Sequence, residues 1–88
     1  MNRREHLLTI LMEECAELSQ EAAKILRFGH TKEKGVRFQK EYNDVLAAVE
    51  MLYKEGIDAH DDNDLVEAKQ AKVEKYLLES KKLGTLSD

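Results

Sequence analysis

Two pairs of carboxylates recur at the same spacing in this chain: Glu14 and Glu17 in "EECAEL", and Glu41 and Asp44 in "KEYNDVLAAVE". Residues three apart on a helix lie one turn along the same side, so each pair can aim at one point in space. Glu14 also falls in the series 7, 11, 14, 18, 21 and 25, whose alternating steps of four and three trace a buried seam. Burying an unpaired carboxylate costs roughly several kcal/mol, and neighbouring like charges add to that cost. Lysine or arginine could offset it; so could a hard divalent cation such as Mg²⁺, which prefers oxygen ligands. Glu41 and Asp44 flank a stripe made by Phe38, Tyr42 and Val45, and Ala47 and Ala48 permit a close helix neighbour. Two antiparallel helices would therefore face four carboxylates toward one another.

The elements that must position these groups are helices. Proline is absent, and glycine is confined to positions 29, 35, 56 and 84, between stretches rich in Leu, Ala, Glu, Lys and Met. Leu7, Leu8, Leu11, Cys15, Leu18, Ala22, Ile25 and Leu26 predict a first helix over about residues 3–28. Phe38, Tyr42, Val45, Val49 and Leu52 predict a second, stopping at Gly56, with "GHTKEKG" before it read as a loop. Asp64 and Glu67 have the spacing of a capping box, and Val66, Val73, Tyr76, Leu77 and Leu83 give a third stripe ending at Gly84. The expected fold is all-α: an antiparallel bundle of about three helices, one domain over residues 1–84, with a frayed tail at 85–88.

A chain of 88 residues buries only a modest fraction of its surface, and one cysteine allows no intrachain disulfide. Oligomerisation is the expected remedy, as a homodimer or homotetramer. No run is long enough to cross a bilayer, and "MNRREHLL" lacks the apolar core of a secretory signal, so a cytoplasmic, membrane-free location is expected. The net charge of −4, without a continuous cationic strip, argues against a nucleic-acid polymer as partner.

Glu14-Cys15-Ala16-Glu17 together with Glu41-Tyr42-Asn43-Asp44 resembles the ExxE and ExxD signature of the all-α nucleoside triphosphate pyrophosphohydrolases. This is the MazG-like group, which also includes dimeric dUTPases and phosphoribosyl-ATP pyrophosphohydrolases. "KILRFG", "NDVLAAVEML" and "AKQAKVEKYLLESKKLG" extend the likeness over nearly the whole chain, toward short phage- or prophage-type members. The resemblance implies that Glu14, Glu17, Glu41 and Asp44 are the metal ligands and the catalytic residues, with Mg²⁺, or Mn²⁺ in its place, as cofactor. It further implies hydrolysis of a nucleoside triphosphate between the α and β phosphates, giving monophosphate and pyrophosphate, with clearance of surplus or non-standard nucleotides as a role. One departure is Lys40, where many relatives carry a further acidic residue.

Basic groups must reverse the local sign for a polyphosphate to approach. Lys69, Lys72 and Tyr76 fall at steps of three and four and are candidates for phosphate oxygens. Arg27 and Phe28, at the end of the first helix, are candidates for the sugar or the base. Against these stand blander readings: Glu13 and Glu50 on solvated faces, and Cys15 as a packing residue, while Glu21, which shares the seam with Glu14, is either a group supporting the metal ligands or a lysine's partner. His6, His30 and His60 have no ligand-like spacing, and "DAHDDND" lacks the glycine and spaced glutamate of an EF-hand. The alternative function is a non-catalytic helical oligomerisation or adaptor module whose carboxylates only form interhelical salt bridges. Phosphoribosyl-ATP pyrophosphohydrolase ranks lower, since Asp44 is followed by "VLAAVEML" and not by a histidine-bearing stretch.

Overall fold

Asn2 and Glu5 start the first helix with a reciprocal cap. The Asn2 side chain accepts the Glu5 backbone N–H at 2.8 Å, and the Glu5 carboxylate accepts the Asn2 backbone N–H at 3.0 Å. Helix α1 then runs Arg3–Phe28, as the periodicity predicts. The structure, a computed structural model, describes residues 1–85 and 87. Residues 29–31 make the turn, and the Thr31 side chain accepts the Lys34 N–H at 3.2 Å to open α2, Lys32–Lys54. Most of "GHTKEKG" is thus helix and not loop, because Thr31 supplies a side-chain acceptor for the first turn. Lys34 Nζ donates back to the carbonyls of Phe28 and Gly29, at 3.3 and 3.2 Å, satisfying the negative end of α1.

Helix α2 closes where the sequence places its stop. The Gly56 N–H reaches the Tyr53 carbonyl at 3.1 Å and the Ile57 N–H the Leu52 carbonyl at 3.0 Å, with Gly56 at φ 92°. That paired pattern is a Schellman cap, and its left-handed position suits glycine. Helix α3, Asn63–Lys82, has its cap two residues before the expected Asp64. Asp62 is the cap instead, its carboxylate accepting the N–H groups of Asp64 and Leu65 at 3.0 and 3.2 Å. Asp64 becomes a first-turn charge that favours the helix dipole. At the other end Gly84 and Thr85 donate to Lys81 and Ser80 in a second Schellman cap. The expected frayed tail falls partly on residues 86 and 88, which lie outside the described residues.

The fold is all-helical, with no strand among the described residues. Its packing is uneven. Helices α1 and α2 form an antiparallel hairpin, whereas no α-carbon of α3 comes within 8 Å of either. Arg3 pairs with the Glu55 carboxylate, and the Arg4 guanidinium donates to the Glu55 carbonyl at 2.9 and 3.2 Å, tying the start of α1 to the end of α2. Among the described residues only Leu7, Ala48 and Leu52 are buried and apolar. The radius of gyration is 16.2 Å, against about 12 Å for a compact chain of this length. The accessible surface is 7438 Å², against roughly 5,300 Å² for a compact monomer of this mass.

Candidate metal centre

The seam of α1 is the set of positions the helical period marks. Leu7 and Glu21 are buried, Leu11, Glu14, Leu18 and Ile25 are half-buried, and Leu8, Cys15, Ala22 and Leu26 are exposed. The apolar stripe therefore splits into a covered half facing α2 and an uncovered half. Cys15 belongs to the uncovered half, so within this chain it does not pack as expected. On α2, Glu41, Asp44 and Val45 are half-buried and Ala48 and Leu52 are buried, while Tyr42 is half exposed. Glu41 thus occupies a place in the helix contact that the sequence stripe assigned to Tyr42.

Three of the four motif carboxylates converge. Glu14, Glu41 and Asp44 each bring one oxygen to within 4.8 Å of the others. Cis oxygens around an octahedral Mg²⁺ are roughly 3 Å apart and trans oxygens about 4 Å, given bonds of 2.0–2.1 Å. A small inward movement would close the three on one ion. Glu14 Oε2 and Glu41 Oε2 are shut off from solvent with no hydrogen-bond partner among the described residues. A desolvated oxygen without a partner is costly, and a cation at that point would relieve it. The donor set is all oxygen and suits a hard divalent ion.

Glu17, the fourth motif residue, is exposed and stands outside this group of three. It still acts on the site. Burial pushes the Glu41 carboxyl above the usual carboxylate range; the positive charge of Lys40 opposes that, and the neighbouring carboxylates of Glu17 and then Asp44 reinforce it. The Lys40 ammonium lies 2.7 Å from Asp44 Oδ2 and 3.6 Å from Glu41 Oε1. Its own pKa is raised, first by the hydrogen bond to Asp44 and then by the charges of Asp44 and Glu41. In the sequence Lys40 stands out only as a departure from a motif; its i,i+4 spacing to Asp44 is the signal for this contact. Glu21 is the lysine partner that its seam position allowed, with Lys24 Nζ at 3.0 Å from Oε2, while its Oε1 stays buried and unpaired among the described residues.

The substrate-side candidates are not gathered here within one chain. Lys69, Lys72 and Tyr76 are exposed on α3, which stands apart from the hairpin. The third stripe is too narrow to hold α3 down, because Gln70 interrupts it between Val66 and Val73 and Ser80 interrupts it between Leu77 and Leu83. Arg27 and Phe28 lie ten and eleven residues beyond Glu17 on α1, some 15 Å along the axis at about 1.5 Å per residue. There the Arg27 guanidinium and the Lys34 ammonium sit 5.7 and 5.4 Å from the centre of the exposed Phe28 ring. A separate cavity of about 300 Å³ opens between α2 and the connection to α3, lined by Leu46, Val49, Tyr53 and His60 among others. His60 is edge-on to Tyr53 and 3.1 Å from Asp58, away from the carboxylates.

No protein-family model, curated protein or solved structure matches this chain. No helix is long and apolar enough to cross a membrane among the described residues.

Proposed function

We propose that the chain is a Mg²⁺-dependent nucleoside triphosphate pyrophosphohydrolase, with Mn²⁺ as an alternative ion, acting in the cytoplasm as a homodimer or homotetramer. The observation that carries this reading is the convergence of Glu14, Glu41 and Asp44 from two facing helices, with two desolvated oxygens left unpartnered. The likeness of both acidic pairs to the MazG-like signature supplies the reaction class. A divalent ion bound there would neutralise phosphate charge and activate water for attack on the phosphoanhydride. Glu14, Glu41 and Asp44 would hold it, and Glu17, whose charge acts on Glu41, would complete the motif's set. No side-chain nucleophile is required. The uncovered half of α1 and the whole of α3 are the surfaces that a second copy would cover, and that copy's α3 is the route by which Lys69, Lys72 and Tyr76 reach the carboxylates. The large exposed apolar surface supports the same assembly.

The test is a screen for pyrophosphate release over common and damaged nucleoside triphosphates. Release with Mg²⁺ or Mn²⁺, abolished in a folded Glu41→Gln variant, is the expected result; silence across the panel with both ions contradicts it. A second reading has its own observation. Lys40 already neutralises part of the cluster, as it would in a purely structural helix interface of an adaptor module. That reading requires stability indifferent to Mg²⁺.

A further inference from the structure

The carboxylate cluster already has a cation of its own. Lys40 Nζ holds Asp44 Oδ2 at 2.7 Å and stands 3.6 Å from Glu41 Oε1, so it engages two of the three groups that would ligate an ion. It does not complete the site, because Glu14 Oε2 and Glu41 Oε2 remain buried without a partner among the described residues. One ammonium against three carboxylates also leaves negative charge unmatched. The Lys40 side chain is 67% exposed, and its flexible stem lets the ammonium withdraw into water at little cost. Were it to stay, a divalent ion would meet both an occupied Asp44 oxygen and a like charge a few ångströms away.

We propose that Lys40 is the resident counter-ion of the cluster, displaced when a divalent cation binds, and that it sets the metal concentration at which the site fills. This rests on the metal-centre reading above. Removing the ammonium acts twice in the same direction: it lifts a competitor from Asp44, and it leaves the metal-free carboxylates more strongly repelled from one another. Both favour the metal-bound state.

Calorimetric titration of the full chain with MgCl₂ and with MnCl₂, at neutral pH and moderate salt, tests it. Lys40→Met should bind about two- to tenfold more tightly than the unaltered protein, the range expected for losing an exposed ion pair and a neighbouring like charge. Lys40→Arg should stay within about twofold, since it keeps the charge. Lys40→Gln repeats the neutralisation with a polar side chain, should Lys40→Met associate through its new apolar surface. Equal or weaker binding by both neutral variants, with the unaltered protein still binding, overturns the role of Lys40 and leaves the metal centre standing. Absence of binding by the unaltered and neutral proteins alike, to either ion, overturns the metal centre and this proposal together.

Discussion

The hairpin and the third helix are written in the same residue vocabulary and end in very different places. Helices α1 and α2 bury a seam against each other and clamp their open end with Arg3 and Arg4 on Glu55. Helix α3 is capped as well as they are, by Asp62 at one end and by Gly84 and Thr85 at the other, yet has no buried residue. Local signals suffice to make a helix; a stripe wide and continuous enough is needed to place it. The hairpin supplies such stripes and interrupts them with carboxylates, whereas α3 interrupts its stripe with Gln70 and Ser80.

The sharpest way to break this contrast is in the small core. Leu52 is 1% exposed, and Leu52→Ala should cost about 2–5 kcal/mol in urea unfolding. Val73→Ala, on exposed α3, should cost within about 0.5 kcal/mol at concentrations where the chain is monomeric. An equal loss from both at high dilution would mean that α3 packs within its own chain.

A second effect is on assembly. Val73→Asp and Tyr76→Asp should lower the mass measured by light scattering toward that of the monomer, while Glu13→Gln on the exposed side of the hairpin should not. If no variant moves it, α3 is not the assembling surface.

The third concerns pH. Glu41 is held above the usual carboxylate range, so the metal-free fold favours its protonated form. Its contribution to stability is present below the unfolded carboxyl pKa and is lost as pH rises through the higher folded one. The melting temperature of the metal-free protein minus that of Glu41→Gln should therefore fall as pH rises through that window. A flat difference would place Glu41 in a solvated setting, and a rising one would mean that the Lys40 charge outweighs burial.

The smallest is at the caps. Asn2→Ala and Asp62→Ala should each cost their own helix about 0.5–2 kcal/mol. Only the first should shift hairpin unfolding; the second should show as lost helical circular dichroism and faster amide exchange in α3 alone. Asp62→Ala shifting the hairpin transition would join the two regions thermodynamically.

Much of this was legible in the residues. The α1 bounds, the Gly56 and Gly84 stops and the seam from Leu7 to Ile25 follow from periodicity and punctuation, which are local. The acidic pairs were legible because a carboxylate in a seam is a local contradiction that asks for a partner. What escaped was set by competition between neighbours. Asp62 outdoes Asp64 as cap because one carboxylate reaches two N–H groups. Thr31 turns an apparent loop into a helix start. Glu41 takes the inward place beside α1 and leaves Tyr42 half exposed, a rotation of α2 that a stripe read on one helix alone does not fix. Lys40 was visible as a residue and invisible as a ligand's partner, since that contact depends on which way two side chains swing.

The most direct test of the central claim is a thermal melt of the unaltered chain and of Glu14→Gln across a Mg²⁺ titration. At tenfold excess over Kd a specific site adds about 1.4 kcal/mol, which for a domain of this size is a rise of roughly 5–10 °C. A saturable rise in the unaltered chain, absent from Glu14→Gln, is the predicted result. A melting temperature indifferent to Mg²⁺ and Mn²⁺ in both proteins would contradict it and return Glu14, Glu41 and Asp44 to the role of a salt-bridged helix contact.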